Sequence, residues 1–125
     1  MASILIVDDE DAIRDLLAGL LATDGYAITT ADSGLSALTE AERAPPDLVI
    51  TDMIMPDLDG IGIIPLLRAL KPCPRILAIS GGARHGEIDV LTAAENLGAD
   101  AALEKPLDLM ELRAVVARLV ALARS

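Results

Sequence analysis

Aromatic side chains are nearly absent: the 125 residues include one Tyr, no Phe and no Trp. Recognition by stacking bases on rings, as in single-strand and RNA binding, therefore has no platform. Basic residues are also scarce, ten Lys and Arg against twenty Asp and Glu, for a formal charge of −10. Such a field repels phosphate backbones and anionic membranes, so direct nucleic-acid binding is not expected. No apolar run approaches the roughly 18 to 20 residues of a membrane span, and Met1-Ala2-Ser3 leads at once into a short apolar run and Asp8-Asp9-Glu10. The expectation is a chain that is neither membrane-inserted nor secreted. A single Cys73 permits no internal disulfide, in keeping with a reducing cytoplasm; lying between prolines without a partner, it reads as incidental.

What is present is aliphatic. Hydrophobic residues make up 53% of the chain, with 21 Ala and 21 Leu, enough apolar surface to offset ordering entropy and exclude intrinsic disorder. The length suits one domain with one sizeable core. Short apolar runs alternate with longer amphipathic ones. Ile4 to Val7, Ala27 to Thr30, Leu48 to Thr51, Ile76 to Ile79 and Ala101 to Leu103 read as strands.

Between them, Asp11 to Thr23 carries Ile13, Leu16, Leu17, Leu20 and Leu21 at helical spacing, with Gly25 as a left-handed terminator. Ser33 or Asp32 caps a second helix that stops before Pro45-Pro46. A third should run from near Gly60 to before Pro72, with Pro65 displacing its start or kinking it. A fourth is expected over roughly Glu87 to Leu97, ended by Gly98, and a fifth from an Asp108 cap to about Ala123. Five such alternations specify an α/β doubly wound parallel sheet covered on both faces, with ligands bound beyond the carboxyl ends of the strands.

The residues at those ends are unusual. Asp8, Asp9 and Glu10 follow strand one, Thr51-Asp52 ends strand three, Ser80 ends strand four, and Glu104-Lys105-Pro106 follows strand five. Capping and loop solvation explain any one of them, but neither requires several acids on one rim beside a lysine. A hard divalent ion such as Mg2+ favours an oxygen cage of this kind. Asp52 would then be ligand and nucleophile, with Lys105 and the Ser80 hydroxyl suited to phosphoryl oxygens.

Together, Asp8-Asp9, Pro46 to Asp52, Met55-Pro56, Asp59-Gly60, Ser80, Gly98-Ala99-Asp100 and Lys105-Pro106, in this order, resemble the receiver domain of two-component response regulators over nearly the whole chain. The resemblance implies the flavodoxin-like (βα)5 fold with strand order 2-1-3-4-5, which periodicity alone does not select. It also implies that Asp52 accepts a phosphoryl group from a histidine kinase or phosphotransfer protein. Asp9 and Asp52 would bind Mg2+ with the Ile54 carbonyl, Asp8 would act through water, Ser80 would hydrogen-bond the phosphoryl group and Lys105 would pair with it. With Met1 just before strand one and Ser125 just after the last helix, residues 1–125 are expected to form a stand-alone cytoplasmic receiver without an output domain, signalling through a separate downstream protein. Exposed residues of the last helix offer a homodimer or partner surface.

Two features depart from the pattern. Receivers usually carry an aromatic ring three residues before the lysine, where this chain has Ala102, so the usual ring switch has no counterpart. The segment from Ser80 to Gly98 is longer than usual and contains Gly81, Gly82 and Gly86, which suggests a mobile loop. His85, within it, reads as a polar surface residue, and Ser80-Gly81-Gly82 lacks the spacing of a phosphate-binding loop. Competing readings are an interaction module that no longer takes phosphate, an aspartyl phosphatase and a flavin protein. Retention of every site residue counts against the first. Ile54, where a second acid would be needed, counts against the second, and the lack of rings against the third.

Overall fold

Three strands are almost wholly apolar between their end residues, as strands covered on both faces must be. They are β1 (Ser3–Val7), β3 (Leu48–Asp52) and β4 (Arg75–Ser80), and all but their first residues are buried, β3 throughout. In the computed structural model, which describes residues 1–53, 60–80, 84–85, 88–89 and 95–124, they form the middle of a five-stranded parallel sheet. The edges are β2 (Ala27–Ala31) and β7 (Ala101–Glu104), both more exposed, and the order is β2-β1-β3-β4-β7. This is the expected order 2-1-3-4-5, with β7 as the fifth parallel strand.

Strand periodicity of two divides the core between the two faces. Ile4, Ile6, Leu48, Ile50, Leu77 and Ile79 pack with Leu17 and Leu21 of α1 (Asp11–Thr23) and with Leu112, Val116 and Leu119 of α5 (Leu109–Ala123). Leu5, Val7, Val49, Ile76 and Ala78 pack with Ala37 and Ala41 of α2 (Gly34–Arg43) and with Ile63, Ile64 and Leu67 of α3 (Gly60–Arg68). The residues on both faces are aliphatic; Tyr26 only borders the α1 and α5 side.

Local chemistry sets the helix ends. Ser33 Oγ accepts from the Ser36 amide at 3.1 Å, and Asp108 Oδ1 accepts from the Met110 and Glu111 amides at 3.0 and 3.2 Å, so both expected caps are made. Gly25, at φ 96°, takes the left-handed conformation after α1 while the Tyr26 amide donates back to the Leu21 carbonyl. α3 starts at Gly60 and runs through Pro65, which sits on its exposed side. Pro65 therefore does not displace the start.

The fourth helix ends at residue 97, before Gly98, as expected, but its expected start does not hold. Ile88–Asp89 is β6, paired antiparallel with β5 (Arg84–His85), and the described part of α4 is residues 95–97. Two residues, Gly86-Glu87, separate the paired segments, a spacing and composition typical of tight hairpins, and the ladder uses backbone groups a helix from Glu87 would have needed. The readings placed on Ile54, Met55-Pro56, Asp59, Gly81, Gly82, Gly86 and Leu91 lie outside the described residues. No described helix is long and apolar enough to cross a membrane.

Asp100 closes the amino-terminal edge of the sheet. Its Oδ2 accepts from the Ile76 amide at 2.8 Å, its Oδ1 from Arg75 Nη1 at 3.2 Å, and its amide donates to the Ile76 carbonyl. Just before it, Gly98 has φ 117°, and a Cβ there would stand 3.2 Å from the Arg68 side chain. Thus Gly98-Ala99-Asp100 helps set the start of β7, and with it the position of Lys105 at the other end.

Candidate functional site

Register brings the polar strand ends together. The pair Val7↔Thr51 makes Asp8 and Asp52 the next residues on neighbouring strands, Asp52↔Ile79 puts Ser80 one step further, and Ser80↔Glu104 leaves Lys105 just beyond β7. The Lys105 amide donates to the Ser80 carbonyl at 2.7 Å, carrying the ladder one residue past the strand. The five strands of this sheet are all parallel, so these residues share one rim.

Lys105 Nζ sits among three carboxylates: Asp52 Oδ2 at 3.2 Å, Asp8 Oδ2 at 3.3 Å and Glu10 Oε1 at 3.3 Å. The Asp8 and Asp52 side chains are nearly covered, 3% and 6% exposed, whereas Glu10 is 63% exposed and stands at the mouth. One oxygen from each of Asp8, Glu10 and Asp52 lies within 4.8 Å of the others. These are hard, anionic donors at a spacing one cation can span, a set that suits Mg2+ better than a soft or borderline metal.

Of the residues singled out in the sequence, Asp8, Asp52 and Lys105 meet here. Ser80 is fully buried at the end of β4. Asp9 is exposed and stands outside the three-carboxylate group, and Ile54 lies outside the described residues. Two contributors carried no role in the sequence reading. Glu10 is at the N-cap position of α1 but makes no side-chain cap; it turns to Lys105 instead. Arg14, in α1, donates through Nη1 to the Asp8 carbonyl at 2.7 Å and pairs with Asp11. Its one sequence signal is a cation near a helix amino terminus, where the dipole disfavours positive charge.

Burial is the main cause that raises the Asp8 carboxyl above its ordinary value, with Asp52 adding to it; the Glu10 amide and Lys105 act the other way without cancelling it. For Lys105 burial alone would lower the ammonium, but the Asp52 and then the Asp8 carboxylates outweigh it and hold the proton more tightly than usual. A raised Asp8 means the folded state binds a proton more readily than the unfolded chain. Its charge therefore subtracts stability above its folded value, and the loss is relieved as pH falls toward its unfolded value. Asp8→Asn keeps the oxygen that accepts from the Glu10 amide and removes the charge, so in metal-free buffer at neutral pH it should raise the melting temperature by a few degrees. Thermal unfolding with a chelator measures this; a lowered midpoint would mean the Lys105 pairing outweighs burial.

Beside Lys105 the surface becomes apolar: Ile13 and Leu16 of α1 face Pro106, Leu107 and Leu109 across a hollow of about 270 Å³. Leu16 is 49% exposed.

Comparison with known proteins gives one consistent family. The model of the response regulator receiver domain matches residues 4–117. The sensory transduction protein RegX3 of Mycolicibacterium smegmatis is 40% identical over 124 residues, 99% of this chain and 51% of that protein, so this chain spans about half of its length. Sporulation initiation phosphotransferase F of Bacillus subtilis is 36% identical over 113 residues, covering 90% of this chain and 89% of its own. The crystal structure of the chemotaxis protein CheY4 of Vibrio cholerae superposes with a TM-score of 0.84 at 28% identity, over 95% of this chain and 98% of that one.

Proposed function

Because the chain belongs to the response regulator receiver domain family, phosphoacceptor signalling domains of two-component systems, we propose that Asp52 is its phosphoacceptor and the carboxylate rim its Mg2+ site. The observation that carries this reading is the meeting of Asp52, Asp8 and Glu10 around Lys105 at the carboxyl ends of a parallel sheet. Asp52 would hold Mg2+ with Asp9 and the Ile54 carbonyl, and Asp8 would act through water, roles that rest on family resemblance. When bound, Mg2+ supplies charge neutralisation between carboxylate and phosphoryl oxygens.

The transfer itself is a displacement at phosphorus. An Asp52 carboxylate oxygen forms the new P–O bond while the P–N bond of a phosphohistidine breaks, its electron pair returning to the imidazole, which takes up a proton. With a small acyl phosphate the leaving group is a carboxylate. Lys105 Nζ, 3.2 Å from Asp52 Oδ2, has the reach to exchange that carboxylate for phosphoryl oxygens, where negative charge accumulates. Ser80 would add a hydroxyl donor.

Receiver domains are signalling domains. In this reading the chain catalyses only its own phosphorylation and dephosphorylation, in the cytoplasm. It takes phosphate from a histidine kinase or phosphotransfer protein and acts on a downstream protein through changed contacts. The apolar hollow beside Lys105 supports a protein donor, since a small anionic donor gains nothing from it. A homodimer through α5 is a further outcome to measure. Incubation with Mg2+ and a small acyl phosphate, followed by intact mass, tests the reading. Stoichiometric addition of one phosphoryl group is expected. No addition would favour an interaction module, and hydrolysis without an accumulating adduct a phosphatase.

A further inference from the structure

We infer that Arg14 is a positioning residue for the metal-binding rim: it fixes the turn that presents Asp8 and Glu10, without touching the phosphoryl group. The inference rests on the Mg2+ reading of the rim given above. On its strand side the turn between β1 and α1 is held by the Asp8 amide, which donates to the Ala31 carbonyl at 3.2 Å. Glu10 occupies the N-cap position with extended backbone, φ −89° and ψ 114°, and its side chain does not cap the helix. Its carboxylate is committed to Lys105 instead.

Arg14 ties the helix back to the strand end. Its amide donates to the Glu10 carbonyl at 3.1 Å, starting the helix, while Nη1 reaches back to the Asp8 carbonyl at 2.7 Å. The Asp8 carboxylate in turn accepts from the Glu10 amide through Oδ1 at 2.9 Å, leaving Oδ2 toward Lys105 and the rim. Arg14 thus grips the backbone of the residue whose side chain is aimed into the site. The Arg14 side chain is 16% exposed, against 83% for Asp11, its partner in α1. A solvated helix pair would leave both ends in water, so pairing with Asp11 alone does not account for the covered Arg14 side chain.

Charge and positioning predict opposite signs, which makes the role measurable. By Coulomb's law alone, removing a cation from beside a divalent-ion site should tighten metal binding. If Arg14 acts by orienting the carboxylate turn, its removal should weaken binding, as loss of a group orienting a metal ligand does by about tenfold or more. Arg14→Met keeps most of the covered volume without charge or donors; Arg14→Gln, with a shorter amide, is the companion should the first variant not fold.

The experiment is a calorimetric Mg2+ titration of the full chain, paired with amide hydrogen exchange at Glu10 in metal-free protein. The expected result is a Kd about tenfold above wild type in either variant, with faster exchange of the Glu10 amide. Binding as tight as wild type or tighter, with Glu10 exchange unchanged, would overturn the positioning role. A wild type that binds no Mg2+ would overturn the reading of the rim itself, and the metal-free exchange at Glu10 would still decide whether Arg14 holds the turn.

Discussion

Lys105→Ala is expected to lose about 3 kcal/mol of stability in Mg2+-free buffer, the size of effect seen when one partner of a buried ion pair is removed. The Lys105 side chain is 13% exposed and is the only cation pairing with Asp8, Glu10 or Asp52 among the described residues. Glu10 can turn to water, but Asp8 and Asp52 are covered and would face each other across neighbouring strands. Asp8, already pushed up by burial and by Asp52, would lose one of the two influences that restrain it. Added Mg2+ should restore more stability to the variant than it adds to wild type, because no ammonium then competes for the same oxygens. Thermal unfolding of both proteins with chelator and with Mg2+ checks this. Equal midpoints without metal would show that Lys105 is a solvated surface residue.

The second large effect is loss of phosphorylation in Asp52→Asn, to below detection. Three carboxylates share the rim, and their surroundings separate them. Glu10 is 63% exposed on a side chain able to turn away. One oxygen of Asp8 is occupied by the Glu10 amide at 2.9 Å, and the other faces Lys105 at 3.3 Å. Asp52 ends β3, buried at every residue and hydrogen-bonded to a strand on each side, so its backbone is firmly placed and its side chain is covered. Asn has nearly the same shape and no anionic oxygen to attack phosphorus. Intact mass after incubation with Mg2+ and an acyl phosphate should show no adduct in this variant, and equal labelling of variant and wild type would move the nucleophile elsewhere.

The sheet was legible because its strands differ by position. Ile4 to Val7, Leu48 to Ile50 and Ile76 to Ile79 are unbroken apolar runs because helices cover both of their faces, and the polar residues closing each run mark one rim. The meeting of Asp8, Asp52 and Lys105 followed from that parallel arrangement. The strand order did not, since the periodicity suits more than one, and it came from family resemblance. Of the helix expected over Glu87 to Leu97, the end is observed at residues 95–97, but Ile88, whose spacing also suits a helix, pairs as a strand with His85. Glu10 was visible as a third acid, but whether it caps α1 or turns to Lys105 depends on where β7 delivers the ammonium. Arg14 was illegible for the same reason: its partner is a backbone carbonyl six residues back, brought into reach by the turn between strand and helix.

Borohydride reduction of the phosphorylated wild-type protein, followed by peptide sequencing, tests the central claim most directly, because an aspartyl phosphate is reduced to homoserine at the residue that carried it. The account predicts homoserine at position 52 alone, formed only when Mg2+ was present during phosphorylation. Reduced product at position 8, 9 or 10, or labelling at position 52 that is indifferent to Mg2+, would contradict it.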